Sequence, residues 1–210
     1  MSSDRAILCV RQDEALSYNL VPIPEEAKAS FYDHIHQNAV GVERSAAETD
    51  PTYKQIIPYI VVHAESQGQD YILCGRRLSG GNEGRLHGRI TLGFGGHVKW
   101  EEGLHAMDMV YRSIEQELRE ELGFIDPELR SKLVLLGELD ADVDDVGTVH
   151  RGLVYLLQVD LADPFWFKVA SKEPDKLQLF WAPLPNLALL LDRMEEWAKL
   201  TYVTLQGLVS

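Results

Sequence analysis

The stretch Glu115–Phe124, EQELREELGF, holds three glutamates within five residues of chain. Glu117, Glu120 and Glu121 stand at positions i, i+3 and i+4, so a helix would bring their carboxylates together on one surface. Like charges at that spacing destabilise a helix by roughly 0.2–0.5 kcal/mol per pair. The sequence therefore predicts either a strongly hydrated helix end or a partner that compensates the repulsion.

The residues before this stretch predict an amphipathic helix from about Leu104 to Leu122, ended by Gly123. Its apolar residues recur at helical spacing and form one stripe that is expected to face the core: Met107, Val110, Tyr111, Ile114, Leu118 and Leu122. Glu121 falls at the edge of this stripe, with Glu117 beside it. A carboxylate at an apolar boundary loses hydration and needs a partner. A divalent cation such as Mg²⁺ or Mn²⁺ suits oxygen ligands, and a solvated glutamate-rich helix end is the alternative.

The frame around this helix resembles the Nudix box. That pattern is Gly, five residues, Glu, seven residues, then Arg-Glu-U-x-Glu-Glu-x-Gly-U, where U is apolar. Residues 117–124, ELREELGF, match its second half without a gap, and Gly96 and Glu102 match its first Gly and Glu. The match departs from the family in two places: 13 residues (103–115) follow Glu102 instead of seven, an apparent six-residue insertion, and Gln116 stands where the family has Arg.

Nudix enzymes cleave a diphosphate linked to another group with the help of Mg²⁺ or Mn²⁺. The resemblance implies Glu117, Glu120 and Glu121 as metal ligands, Glu120 and Glu121 as catalytic residues, and Gly96 as a backbone contact of the metal. The expected function is hydrolysis of a diphosphate bond in a nucleoside diphosphate linked to another group. The substrate would be a small molecule of the nucleotide or nucleotide-sugar type.

Arginines form the main basic group near the glycine-rich segment 78–88. Arg76, Arg77 and Arg89 are candidates to bind phosphate, with ordinary strand-edge charges as the alternative.

A histidine and two acids complete the candidate site. His97 follows the glycine pair Gly95-Gly96 and is a candidate substrate contact, or makes a structural hydrogen bond. Glu102 and Glu173 are candidate additional acids, and exposed loop charges are the alternative for both.

Two other functions stay open on the same frame. Gln116 and the insertion favour a catalytically weak Nudix-fold module that binds a nucleotide or regulates without turnover. An isomerase acting on an isoprenyl diphosphate would need a cysteine and a glutamate that converge at the site, and Cys74 leaves that alternative open.

The rest of the chain predicts strands, one central helix, further strands and a last helix. Strands are expected at 6–10, 56–65, 71–77, 89–98, 132–139, 151–161 and 177–184, helices at 24–39 and 186–208, and a polar loop at 42–53. The turn signal QGQD (67–70) predicts that the strands at 56–65 and 71–77 form a hairpin. This order predicts an α/β (α+β) fold. The resemblance implies a Nudix-like α/β/α sandwich in which the box helix and the C-terminal helix pack on a mixed sheet. Residues 1–54 are expected to form an N-terminal extension packed on a main domain at 55–210.

Composition narrows the partners and the compartment. The 210 residues carry a formal net charge of −13, and a nucleic-acid binder would show a basic footprint instead. The first residues lack the apolar core of a signal peptide, and no apolar stretch approaches the ~20 residues of a membrane span. The two cysteines have no CxxC spacing. We expect a cytoplasmic protein with no nucleic-acid or membrane partner. The oligomeric state stays open, with a homodimer as the alternative that analogy with other Nudix domains offers.

Overall fold

The computed structural model describes residues 5–12, 20–80, 86–140 and 147–208. Its strands are β1 Ala6–Arg11, β2 Leu20–Pro22, β3 Ala39–Glu43, β4 Tyr53–Ser66, β5 Gln69–Arg77, β6 Ile90–Thr91, β7 Leu133–Leu139, β8 His150–Val159 and β9 Leu177–Pro183. Its α-helices are α1 Lys28–Asn38, α2 Arg44–Ala47, α3 Ala106–Glu117, α4 Leu129–Lys132, α5 Pro164–Phe167 and α6 Glu196–Leu208. Short 3₁₀ segments span Glu25–Ala27, Gly147–Val149 and Leu184–Arg193. The predicted α/β class is confirmed.

The chain divides into two compact units. The first comprises residues 1–59, 95–116 and 135–155, and the second comprises residues 60–94, 117–134 and 156–210. The predicted boundary at residue 54 remains a prediction. None of the described helices is long and apolar enough to cross a membrane.

The first unit is organised around β1. Its strands follow the hydrogen-bonded order β2-β7-β8-β4-β1-β3, and β1 pairs antiparallel with β3 and with the start of β4. Helices α1 and α2 contact β1. Ile7, Cys9 and Ala47 are buried together, with Val40 and Tyr53 packed against them. Residues 39–47 therefore form a strand and a helical turn, and the predicted polar loop at 42–53 is wrong over this part because its apolar residues are drawn into the core.

The second unit is organised around β5. This strand pairs antiparallel with the end of β4, with β6 and with β9. Gln67 and Gly68 have φ of 54° and 70°, the left-handed pair that a tight two-residue hairpin requires. The predicted hairpin is thereby confirmed. Helix α6 contacts β6.

Two predicted elements are interrupted at residues whose backbone forms isolated bridges with other segments of the chain. The strand expected at 89–98 is regular only at Ile90–Thr91 and continues as isolated bridges at Phe94 and Lys99. The helix expected at 186–208 is a 3₁₀ segment and a separate α6. Met194 between them is extended at ψ 148°, because it forms a β-bridge with Ile90.

Candidate functional site

The predicted box helix exists with its predicted end. Helix α3 continues directly into a π-helical turn at Leu118–Leu122, and such turns are frequent at functional sites. Gly123 then adopts φ 73°, and its N–H donates to the carbonyl of Arg119 at 3.0 Å. Leu118 and Leu122 are buried. The buried Leu118 and Leu122 thus hold the turn that carries Glu120 and Glu121, Glu117 directly precedes it, and Gly123 supplies the left-handed C-cap.

The predicted apolar stripe of α3 is nearly all buried. Met107, Val110, Ile114, Leu118 and Leu122 are each at most 3% exposed, whereas Tyr111 is partly exposed. Met109 and Ser113 are buried as well, so the buried face is wider than the sequence pattern indicated.

The Glu121 side chain is half-buried, and one of its carboxylate oxygens is shielded from solvent. Its Oε2 atom is buried and has no hydrogen-bond partner among the described residues. Its backbone carbonyl accepts from the N–H of Lys172 at 2.8 Å. The pKa of Glu121 is raised to about 7, mainly by burial; the guanidinium of Arg77 lowers it, and the nearby carboxylates of Glu117, Glu173 and Glu195 contribute smaller increases. This carboxylate therefore lies among negative charges without a hydrogen bond at one oxygen.

The three box glutamates differ in exposure. Glu117 is half-buried like Glu121, and Glu120 is exposed. The prediction that Glu121 lies at the edge of the core stripe is confirmed by the burial of its Oε2 atom. The carboxylates at the end of the helix therefore differ in their environment: Glu120 lies in solvent, and Glu121 lies at the boundary of the core.

Glu173, a predicted additional acid, lies in the electrostatic neighbourhood of Glu121. Its own Oε1 pairs with Lys176 Nζ at 2.5 Å, and its N–H donates to Ser171 Oγ at 3.0 Å. Glu195, which sequence reasoning missed, belongs to the same neighbourhood. Nothing in its local sequence sets it apart from other acids near a helix start, so the tertiary structure alone identifies it.

Of the three predicted arginines, Arg77 is the one that acts on Glu121. Its Nε lies 2.8 Å from Glu195 Oε1. Arg76 is the next residue of β5 and is exposed, and successive side chains of a strand point to opposite faces. Arg89 is exposed and donates through Nη1 to the carbonyl of Asp192 at 2.9 Å. The prediction that Arg76 and Arg89 bind phosphate remains untested.

The glycine turn of the first unit has a steric requirement at Gly95. A Cβ there would overlap the carbonyl oxygen of Pro58, so glycine lets the two backbones approach. The role predicted for the neighbouring Gly96 remains a prediction. Glu102 lies in an exposed turn, where the adjacent Glu101 pairs with Arg112 at 2.8 Å.

His97 belongs to a cluster of ligand-type side chains in the first unit. One ligand atom each from Glu48, His97 and His150 lies within 4.8 Å of the other two. The Nε2 atoms of the two histidines are 3.3 Å apart, and His97 Nε2 lies 3.7 Å from Glu48 Oε1. Burial lowers the pKa of His97 to about 4, with smaller contributions from Arg44 and His150, while Glu48 opposes them. His97 is therefore neutral at pH 7.

Gln116, where the box has Arg, accepts a hydrogen bond from a cation. Lys99 Nζ donates to Gln116 Oε1 at 3.0 Å. A positive group thus stands next to position 116 although the side chain there is neutral.

Cys74 does not have the properties of a reactive thiol. It is fully buried, and burial raises its pKa to about 12. A thiol in such surroundings stays protonated and inert, which disfavours the isomerase alternative.

Comparison with known proteins supports the resemblance over almost the whole chain. Protein YmaB of Bacillus subtilis (strain 168) is 32% identical over 204 residues, which cover 93% of this chain and 95% of that protein. The crystal structure of Tm1382, described as a Nudix hydrolase, is 27% identical with a TM-score of 0.75, covering 97% of this chain and 99% of that one. No protein-family model matches the chain.

A more distant structure shares the fold. The NUDIX domain of Shewanella oneidensis NrtR, solved with ADP ribose, is 11% identical with a TM-score of 0.55, over 75% of this chain and 89% of that one. The residues of the box at the end of α3 agree with the likeness to Tm1382, which spans nearly the whole of both chains. The chain belongs to the Nudix hydrolase family.

Proposed function

We propose that this chain is a metal-dependent hydrolase that cleaves a diphosphate bond in a nucleoside diphosphate linked to another group. The observation that carries the proposal is the Glu121 carboxylate, whose buried Oε2 has no hydrogen-bond partner in the described part of the chain. Glu117, Glu173 and Glu195 add further negative charge around it. A buried carboxylate of this kind is costly unless a cation completes its surroundings.

The residues present fit a divalent cation. Glu117, Glu120 and Glu121 would hold it, and Gly96 is proposed as its backbone contact by resemblance to the box. Mg²⁺ or Mn²⁺ is proposed because the side-chain donors are all oxygens. When bound, such an ion neutralises the diphosphate and lowers the pKa of a bound water.

The chain's own side chains supply the proton transfer and the substrate contacts. Glu120 and Glu121 are proposed as the catalytic carboxylates, one of which accepts a proton from the attacking water. Glu173 is proposed as an additional acid because it acts on Glu121. Arg77 is proposed to bind a phosphate oxygen, for which the guanidinium of an arginine is well suited.

The alternative is a nucleotide-binding module with little turnover. The neutral Gln116, bonded to Lys99 rather than carrying the box guanidinium, favours it. The two functions separate in one assay, because the alternative predicts ligand binding and no cleavage.

The test is release of phosphate and nucleotide from a panel of diphosphates with Mg²⁺ or Mn²⁺. The panel begins with ADP-ribose, the ligand of the NrtR domain, and includes dinucleotides, nucleoside triphosphates, sugar nucleotides and coenzyme A. Glu120→Gln and Glu121→Gln keep the side-chain size and remove the charge. Glu115→Gln is the matched control, because Glu115 is exposed on the same helix and matches none of the defined positions of the box.

Cleavage that needs the metal and falls by about 10²-fold or more in both box variants, but not in Glu115→Gln, supports the hydrolase. Cleavage that survives in both variants contradicts the assigned residues. Metal and nucleotide binding without cleavage of any compound supports the binding module instead. The homodimer remains a separate prediction, which the mass of the protein in solution tests.

A further inference from the structure

We propose that Glu48, His97 and His150 bind a first-row transition metal ion of the Zn²⁺ type. None of these three residues is among the metal ligands proposed above, although His97 directly follows Gly96. The inference does not depend on the proposed hydrolase, because it concerns different residues and a different ligand chemistry.

The ligand set matches the chemistry of zinc. Two imidazole nitrogens and one carboxylate form one of the sets that hold Zn²⁺ with a fourth position open. Mg²⁺ and Ca²⁺ prefer oxygen ligands throughout, whereas imidazole suits Zn²⁺, Cu²⁺, Fe²⁺ and Ni²⁺. The His97–His150 pair therefore selects a softer ion than the glutamates at the end of α3.

The distances match an ion held between the three groups. With zinc–nitrogen bonds of about 2.0–2.1 Å and tetrahedral angles, two ligand nitrogens lie about 3.3 Å from each other. The Nε2 atoms of His97 and His150 are 3.3 Å apart. Glu48 Oε1 lies 3.7 Å from His97 Nε2, so a small movement of an exposed side chain completes the arrangement.

The three ligands stand on fixed backbone. His97 is followed by Val98, whose carbonyl accepts from the N–H of Leu8 in β1 at 2.8 Å. His150 is the first residue of β8 and is 7% exposed. Glu48 follows the buried Ala47, which packs in the same core as β1. Ligands held in place before the ion arrives lose little freedom on binding.

The Glu48 carboxylate can bind an ion while it remains paired with Arg44. Arg44 Nε lies 3.3 Å from Glu48 Oε1, and an ionised carboxylate offers about four lone-pair sites. Arg44 can orient the carboxylate while Glu48 accepts the ion, as partners behind metal ligands commonly do. Glu48 is exposed and His97 partly exposed, so the site has solvent access for the ion and for a water in the fourth position.

The test uses the full-length protein and Zn²⁺ as the probe, with Co²⁺ as a spectroscopic substitute. Zinc bound per chain and its affinity are measured by elemental analysis and calorimetry on metal-stripped protein. The variants are His97→Asn, His150→Asn and Glu48→Gln. Asparagine keeps a polar group near the Nδ1 position and removes Nε2. His34→Asn is the control, because His34 is an exposed histidine of α1 outside the cluster.

The expected result is one Zn²⁺ per chain at this cluster, with an affinity that falls by at least about tenfold in each cluster variant. The affinity stays unchanged in His34→Asn and in Glu120→Gln. Co²⁺ should show the visible absorption of a tetrahedral nitrogen-containing site in the wild-type protein and lose it in the variants. Zinc binding that is absent, or equal in wild type and all three variants, overturns the proposal.

Glu48→Gln keeps the test decisive if a histidine variant fails to fold. Glu48 is exposed, so this change leaves the core intact. Zn²⁺ should raise the melting temperature of the wild-type protein by mass action and raise that of Glu48→Gln less. An equal rise in both proteins contradicts the assignment of Glu48.

Discussion

The two clusters of ligand-type side chains in this protein are built in opposite ways. Glu117, Glu120 and Glu121 come from five consecutive residues at the end of one helix, and they offer only oxygen. Glu48, His97 and His150 come from three distant segments, and they offer two nitrogens and one oxygen. The first cluster can be recognised in a sequence because helical spacing alone assembles it. The second exists only after the fold has brought its segments together.

Their electrostatics differ as well. The glutamate cluster concentrates negative charge around a buried oxygen that has no hydrogen bond in the described structure. The histidine cluster has internal contacts, with the two imidazoles 3.3 Å apart and Glu48 also close to Arg44. The difference teaches that a motif of neighbouring residues can identify a cluster in which one oxygen, Glu121 Oε2, lacks a hydrogen bond in the described structure. A cluster of residues from distant segments can bring its ligand atoms close together without any motif.

The largest expected effect comes from the buried network that anchors the chain before His150. Lys54 is fully buried and donates through Nζ to Asp140 Oδ1 at 3.0 Å and to the carbonyl of Gly147 at 2.8 Å. Lys54→Met removes the ammonium group beside the buried Asp140 carboxylate, which also lies 3.5 Å from Arg151 Nη2. We expect the free energy of unfolding to fall by about 3–5 kcal/mol, measured by urea denaturation.

Lys132→Met is the control for this change. Lys132 makes an exposed pair with Asp126, which water screens and which should therefore contribute far less to stability than the buried pair. Equal losses of stability in the two variants would show that burial of the Lys54 network carries no special weight.

A somewhat smaller loss is expected at the glycine turn that leads to His97. In Gly95→Ala the new Cβ overlaps the carbonyl oxygen of Pro58, and the backbone must move apart. We expect a destabilisation of about 1–3 kcal/mol, measured as the shift of the denaturation midpoint. Gly207→Ala in α6 is the control. It meets no atom within 4 Å and should gain about 0.5–1 kcal/mol through helix propensity. A neutral Gly95→Ala would show that the turn is not packed as described.

The free energy of unfolding of the metal-free protein should depend on pH through Glu121. Burial raises the folded pKa of Glu121 to about 7 from an ordinary value of 4.5. The folded chain therefore holds this proton more tightly than the unfolded chain. The contribution of the Glu121 proton to the free energy of unfolding is fully present below pH 4.5 and is lost as the pH rises to about 7.

Glu121→Gln removes this titration, so its stability should fall less over the same pH window. Because Glu121 is partly exposed, screening reduces the expected difference to on the order of 1 kcal/mol. The measurement is denaturation at several pH values in the presence of a chelator, with Glu115→Gln as the matched control. Parallel pH profiles of wild type and Glu121→Gln would mean that Glu121 is not perturbed.

The smallest expected effect concerns the position where the box has Arg. Gln116→Arg replaces the acceptor of Lys99 with a second positive charge, and both groups lie near the surface. We expect destabilisation by less than about 1 kcal/mol, because exposed charges are well screened, with the loss shrinking at high salt. Gln116→Met removes the same acceptor without adding charge and serves as the control. A stabilised Gln116→Arg would contradict the description of Lys99 as its neighbour.

Much of the fold follows from local pattern. The β-branched run of β4, the hairpin turn at Gln67-Gly68 and the ending of the box helix at Gly123 all occur as predicted, because each depends on residues close together in sequence. The predictions fail where a distant partner decides. Met194 breaks the predicted C-terminal helix to bridge Ile90, and the predicted loop at 42–53 begins with the last two residues of β3, which pairs with β1.

By itself, the sequence determined the α/β class, the box helix with its three glutamates and the resemblance of the chain to the Nudix family. Those features rest on helical and strand periodicity and on a motif in which the interacting residues are neighbours in the chain. The tertiary structure alone decided that Glu121 Oε2 is buried among Glu173 and Glu195, and that Glu48, His97 and His150 converge. Burial and convergence of residues far apart in the chain depend on how strands pair, and no local pattern encodes that pairing.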